Sequence, residues 1–580
     1  CQHLRGICSG ITNQLARWKG KSMSQAGRVC LVNSVITHSF SIYRWPRSLL
    51  KELQGMIQNF IWTGSVHERK LITVSWKECI KPIEMGGLGI KDLKIFNDGL
   101  IAKFTWNLIS SNDPSCHFLS CRFKRRLLEG YSSYLGSSVW PSVKHSFNDI
   151  MRNTKWMVCK QSDLNCWDTC WLDRPLKDWL DVPPNRMHMT IAELLTQFNS
   201  LDFLPLQAVM DIQSHAFMDT DILVWKPNSK GHFNVKEYYK MESESSSVIP
   251  CLSKFKVHFI QPSRYILIWR IWKNRMPTHD QMKKAGQCIV SACHICLKAE
   301  ENVQHLFLSC EYAKKLWEYA SRVFGLELDM NRPLDEFMHL ITKAEKSEQV
   351  QNLLLAAAAS IFSSIWRARN ERLFDDQAPS LNAGAVAMHK EVHIAAMVQV
   401  GTMHNSVNDL ITLRLLGVPG RARQPLMLKS IRWIPPIESW IKVNVDGAAA
   451  GMPGPSGCGG IFRTHRGFVK GCFHHYIGTG TAYEAELWAM MYAIKYAVKF
   501  NWTALWMESD SEIAVMALKV RTRNVPWKLL PHWIECIKQV THLHLVVSHA
   551  YREANKVANA LSKRAVLETS TLWSFRAPDC

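Results

Sequence analysis

No run of about 18 apolar residues occurs along the chain, which excludes a membrane-spanning helix and leaves no expected membrane partner. No internal repeat recurs, so a repeat architecture is excluded as well. Cysteine is not rare, at 18 residues, but it lacks regular spacing apart from one cluster, which argues against a disulfide framework. No secretory leader is legible, and a reducing nuclear or cytoplasmic setting is expected. The first residue is Cys1 rather than Met, so the expectation is a fragment of a longer chain. Acid is in short supply: 49 Asp and Glu stand against 70 Lys and Arg, a net charge of +21. Such an excess points to a polyanionic partner, most simply nucleic acid.

What is present is globular, with 47% hydrophobic and 21% charged residues. At 580 residues the chain exceeds one core, and three or more domains are expected. Residues 1–115 carry apolar residues at helical spacing, broken at Pro46, with a tight turn at Gly86, Gly87 and Gly89. The first 110 residues hold 15 Lys and Arg against 6 Asp and Glu, the more basic end of the chain. Residues 116–245 form an irregular, Trp-rich connecting region. Within it, "VWKPNSKGHFNVKEYY" predicts a strand, a turn at Asn228–Gly231 and a second strand. Residues 250–345 place a cysteine cluster between helices. Residues 346–437 read as a helical segment and then, from 401, a linker marked by Pro419, Gly420, Pro425, Pro435 and Pro436.

The cluster is "CHICLKAEENVQHLFLSC", or Cys293-x2-Cys296-x8-His305-x4-Cys310. Two cysteines two apart form a knuckle that sets two thiolates on one ion. His305 and Cys310, at the start of a helix, close a tetrahedron. Four nitrogen and sulfur ligands with no open position describe a structural zinc site. Cys288 and His294 are nearby extras left out of the set.

Residues 438–570 change character. "WIKVNVDGA" alternates, with Ile441, Val443 and Val445 on one face and Lys442, Asn444 and Asp446 on the other. "GGIFRTHRGFVKGCFHHYI" predicts a hairpin turning at His465–Gly467. "YEAELWAMMYAIKYAV" predicts a helix with a stripe of Leu487, Met490, Met491, Ile494 and Val498. The expected order is β-β-β-α-β-α-β-α. Asp446 and Asp510 end strands, and Glu484 and Glu486 open a helix. Taken singly, each is an ordinary solvated acid. Three or four such carboxylates on adjacent elements can hold two divalent ions about 4 Å apart and drive in-line phosphodiester hydrolysis.

"KVNVDGAAAG", "AELWAMMYAIKYA", "MESDS" and "SHAYREANKVANALSK" resemble the successive blocks of a type 1 ribonuclease H domain, in the form found in plant proteins related to non-LTR retrotransposons. The resemblance implies a five-stranded mixed sheet with flanking helices and an activity on RNA–DNA hybrids. It implies magnesium or manganese held by Asp446, Glu486 and Asp510. The A-E-L-x-A block selects Glu486 over Glu484, a choice that amphipathicity leaves open. His549 matches the mobile histidine that assists water or product release. The fourth family carboxylate falls ten residues later, where this chain has Asn559. An amide oxygen can coordinate but carries no charge, so weakened hydrolysis or binding without cleavage is expected. Glu553, six residues away, is not a substitute. Arg521, Arg523 and Lys528 could line a basic groove.

"RIWKNRMPTHDQMKKAGQC", "CHIC" and "HLFLSC" resemble the zinc-binding domain that follows reverse transcriptases of plant non-LTR elements. "LARWKGKSMSQAGRVCLVNSV" and "KPIEMGGLGIKDLKIFNDGLIAKFTW" resemble the region just after the polymerase palm. Together they imply a truncated retroelement polyprotein: helical N-terminal and zinc-binding regions plus a C-terminal α/β domain. No polymerase activity is expected. "LFDD" at Leu373–Asp376 follows a helical run and is read as a helix C-terminus, not as a metal-binding hairpin.

Overall fold

Helical spacing at the start of the chain becomes a bundle of α1 (Gln2–Arg17), α2 (Gln25–Ser39) and α3 (Arg47–Thr63). Ser24 opens α2 by accepting the Gly27 amide, Pro46 precedes α3, and Gly64 ends it in the left-handed region. Ile11, Leu15, Val32, Ile36, Leu53 and Ile57 are buried there. The structure is a computed structural model that describes residues 2–40, 43–69, 74–111, 113–116, 118–119, 139–179, 187–197, 204–215, 217–243, 250–424 and 431–576. Two compact units emerge, one drawn from 1–101, 136–142 and 238–426, the other from 102–135, 143–237 and 427–580.

The first unit continues through α4 (Pro262–Trp272), α5 (Glu311–Phe324), α6 (Leu334–Thr342), α7 (Glu348–Phe374) and α8 (Leu381–Val398). Small side chains let neighbours pack closely around α7, whose Ala356–Ala359 stretch is fully buried. At its end Asp375 is the C-cap and Asp376 pairs with Arg372 at 2.8 Å, so the "LFDD" stretch is a helix terminus. The linker expected over 401–437 is not uniformly extended. It holds a helix, Val407–Leu416, capped by Ser406 and ended by Gly417. The prolines all follow this helix in sequence rather than interrupt it.

In the second unit, β1 (Thr154–Met157) and β2 (Ile222–Trp225) pair antiparallel beside a core that buries Trp167 and Trp171. The strand expected after Gly231 is instead a helix, Val235–Glu242. Asn234 accepts the Lys236 amide and starts it, while β2 finds its partner some 65 residues upstream.

The C-terminal sheet comprises β3 (Ile441–Ala449), β4 (Gly454–Arg463), β5 (Val469–Gly480), β6 (Ala504–Ser509), β7 (His544–His549) and β8 (Thr571–Ser574), in the order β7-β6-β3-β4-β5-β8. The β3–β6 and β6–β7 pairs are parallel; the others are antiparallel. The sheet therefore has six strands rather than five. The extra one lies beyond residue 570, where four residues pair with Cys472–His475 of β5 and shield an edge.

Helices α9 (Ala482–Lys499), α10 (Glu512–Val520) and α11 (Leu530–Val540) share a core with Val443, Val445, Leu505 and Met507. Along α9, Leu487, Met490, Met491 and Ile494 are buried as expected, but Val498 is exposed and Ala497 takes its place in the core. The opposite face is covered by α12 (Lys556–Glu568), with Leu561 against Ile461 and Cys472. The polar face of β3 is thus buried too: Lys442 is 1%, Asn444 2% and Asp446 5% exposed.

Candidate active site

Parallel pairing of β3 with β6 sets Val445 opposite Ser509, so Asp446 stands beside Asp510, just past β6. Asp446 lies inside β3 rather than at its end as expected, because pairing with β4 carries the strand on to Ala449. In the β6–β7 pair Ser509 also faces His549, which brings the histidine to the same sheet end. Glu486 arrives from α9. A Cβ on Gly447 would lie 2.2 Å from the Glu486 amide nitrogen, so only glycine lets α9 approach β3 this closely. One oxygen each of Asp446, Glu486 and Asp510 come within 4.8 Å of one another. These three residues line a cavity of about 540 Å³ together with Arg552, Asn559 and Lys563.

Burial raises the Asp446 carboxyl to about 7, helped by Asp510 and opposed by the hydroxyl of Ser562. Glu486 rises to about 9, first through burial and then through Asp446 and Asp510. Without a cation the cluster therefore binds protons. A divalent ion would relieve the same repulsion, so the donor set fits one.

Side chains around the carboxylates fix them. Ser562 Oγ donates to Asp446 Oδ2, and Ser509 Oγ donates to Glu486 Oε2 at 3.3 Å. Asn555 Nδ2 donates to the Val445 carbonyl at 2.8 Å and to Asp510 Oδ1 at 3.4 Å. Its burial and its place at the α12 N-cap separate it from the exposed Glu553, which does not line the cavity. His549 is exposed, with Nε2 3.2 Å from the Asp510 carbonyl oxygen. Glu484 is occupied elsewhere, in a capping box with Thr481. The Thr481-x-x-Glu484 spacing is the sequence signal for that role. Ser562, Arg552 and Lys563 escaped sequence reasoning. The signal for Ser562 is its position one helical turn after Asn559. Arg521, Arg523 and Lys528 are exposed and do not line this cavity.

In the first unit, Cys293, Cys296, His305 and Cys310 bring their ligand atoms within 4.8 Å of one another. Cys293 Sγ and Cys310 Sγ are 4.0 Å apart, and Cys296 Sγ lies 3.2 Å from His305 Nε2. Tetrahedral zinc with Zn–S of about 2.3 Å and Zn–N of about 2.0 Å needs ligand spacings close to these. Hydrogen bonding with Cys310 pulls Cys293 down to about 3, and the same bond pushes Cys310 up. One proton is shared where a cation would hold both sulfurs as thiolates. A π-helical turn, His305–Ser309, presents the imidazole, and Cys310 caps α5. Trp317 Nε1 holds the turn through the Phe307 carbonyl at 2.9 Å.

Two segments match family models. Residues 444–565 match the model described as reverse transcriptase-like, and residues 233–317 the one described as zinc-binding in reverse transcriptase. An Arabidopsis thaliana protein, named as a candidate ribonuclease H protein, is 25% identical over 608 residues, covering 98% of this chain and 93% of its own. An uncharacterized mitochondrial protein of the same plant is 28% identical over 151 residues, 25% of this chain and 96% of its own. Among solved structures, ribonuclease H1 from Halobacterium salinarum is 23% identical, covers 23% of this chain and 99% of that one, and has a TM-score of 0.21. LC11 ribonuclease H1 in complex with an RNA/DNA hybrid is 24% identical, covering 22% of this chain and 98% of that one, with a TM-score of 0.21. The chain carries a ribonuclease H-like domain and a zinc-binding region of the reverse transcriptase kind. No helix among the described residues is long and apolar enough to cross a membrane.

Proposed function

We propose that this chain is a metal-dependent ribonuclease that cleaves the RNA strand of RNA–DNA hybrids, within a truncated polyprotein derived from a retroelement. The observation that carries the reading is the convergence of Asp446 from within β3, Glu486 from α9 and Asp510 from just past the end of β6. Bound there, magnesium or manganese would supply activation of water and stabilisation of charge on the phosphodiester. Ser562, Ser509 and Asn555 keep the carboxylates aimed into the cavity. Arg552 and Lys563 line the same cavity and favour a phosphate there. His549 is exposed at the sheet end, where it can carry a proton between the site and solvent.

Asn559 supports a second reading, a nucleic-acid-binding remnant with weakened or no turnover. Asn559 lines the cavity, and by the sequence resemblance it stands where a ribonuclease H domain has its fourth carboxylate. Cys293, Cys296, His305 and Cys310 are proposed to hold a structural zinc ion. All the cysteines among the described residues are free, which supports a reducing nuclear or cytoplasmic setting.

The test is a cleavage assay of the full chain on an end-labelled RNA–DNA hybrid, with duplex DNA and single-stranded RNA beside it. Cleavage confined to the RNA of the hybrid, abolished by Asp446→Asn while binding persists, is the expected result. Equal cleavage by Asp446→Asn would contradict the site. Binding by both proteins with cleavage by neither supports the second reading.

A further inference from the structure

The cysteine cluster has a neighbour. His279, His294 and Glu301 bring two ring nitrogens and a carboxylate oxygen within 4.8 Å of one another. His279 Nε2 and His294 Nε2 stand 3.2 Å apart, with the rings at 79°. Two nitrogen ligands of one tetrahedral zinc ion would be about 3.3 Å apart, given a Zn–N distance of about 2.0–2.1 Å. A hydrogen bond between two neutral imidazoles also gives this spacing, so distance alone does not decide.

Glu301 adds the second observation. It is fully buried, and the equally buried Arg369 grips both its oxygens, at 3.1 and 2.7 Å. Such a grip fixes a ligating carboxylate from its outer shell and leaves each oxygen a further lone pair. Charge adds a third argument, which rests on zinc in the cysteine cluster. Three thiolates around one zinc ion leave a net charge of −1, while Glu301 and Arg369 cancel. A cation beside the knuckle is therefore favoured. His279 is buried and His294 only half-buried, so the set opens to solvent on the His294 side.

We propose that His279, His294 and Glu301 form a second divalent-metal site of the zinc class, with two nitrogens, one carboxylate oxygen and a position open to water. His294 follows Cys293 directly, so the two ions would share one knuckle.

Cobalt titration of the full chain tests this. Asp446→Asn and Glu486→Gln are placed in every protein so that the carboxylate cluster takes no ion. Thiolate-to-cobalt absorption reports the cysteine cluster and also its folding. The parent is expected to take two ions per chain, with the thiolate bands complete after the first. His279→Ala, and separately the gentler His294→Gln, should drop the count from two to one with those bands intact. A parent that saturates at one ion overturns the proposal, as do variants that still take two. Loss of the thiolate bands in both variants also overturns it, because the imidazoles would then belong to the cysteine site.

Discussion

The hydroxyl of Ser562 donates to Asp446 and works against burial and Asp510, which together favour a proton on that carboxyl. Outer-shell partners of this kind are typically worth 10–100-fold in metal affinity. Ser562→Ala should weaken manganese binding by roughly that factor in calorimetry, with the fold intact; unchanged affinity would remove Ser562 from the site. Titration of the acids gives a second expectation. Glu486 is raised from 4.5 to about 9 and Asp446 from 3.8 to about 7, so the folded chain holds protons that the unfolded chain has released. Their contribution to stability is complete below about pH 4 and is lost as pH rises through 7 and 9. In metal-free buffer, Glu486→Gln should therefore gain thermal midpoint relative to the parent between pH 4.5 and 9, and magnesium should close the gap. A difference that does not change with pH would contradict this account of the raised acids. The three carboxylates were legible as acids on strands and at a helix start, because alternation and the family blocks mark them, although β3 runs three residues past Asp446. Ser562 was not, since its place one helical turn after Asn559 gains meaning only once the strand beneath the helix is known.

Helices meet the sheet closely at glycines, Gly447 under α9 and Gly457 and Gly459 under α12. A Cβ on Gly447 would strike the α9 backbone, and one on Gly459 would lie 2.7 Å from the Ser562 nitrogen of α12. Gly447→Ala should cost roughly 1–3 kcal/mol by overpacking and shift Glu486 away from Asp446. Denaturant unfolding and metal affinity should fall together. A stable variant with full affinity would show that the helix can yield without disturbing the site. The alternation of β3 was readable, but the burial of its polar face was not. Lys442 lies over the Trp506 ring at 3.8 Å, pairs with Glu508 at 2.9 Å and donates to the Ile434 carbonyl at 2.6 Å. Those partners come from another strand and from the preceding segment, which a local pattern does not contain. The sixth strand escaped for the same reason, its partner lying about a hundred residues upstream, whereas the helix at Val235–Glu242 was decided locally, by the Asn234 cap.

Across the whole chain, cysteine spacing was the most direct signal, because ligands three to seventeen residues apart need only a knuckle and one helical turn to meet. Packing between segments left no such trace. Within the second unit, Trp527 from the C-terminal domain seats against Met157, Met218 and Val224 of the β1–β2 region, and its amide donates to the Ser229 carbonyl at 2.9 Å. Trp527→Ala should cost about 3–5 kcal/mol and raise hydrogen exchange in β1 and β2. Metal affinity at the carboxylates should stay as it is; a parallel loss there would mean that this packing also shapes the site.

Asn559 decides how the molecule as a whole behaves, as a nuclease with one amide ligand or as a binder of hybrids. The most direct measurement is the rate of hybrid cleavage by the full chain beside Asn559→Asp, in magnesium and in manganese. A restored ligand is worth at least the effect of an outer-shell partner, so Asn559→Asp should cleave at least about tenfold faster than the parent. The gain should be larger in magnesium. If both folded proteins leave the RNA strand intact, the carboxylate cluster is not a nuclease centre.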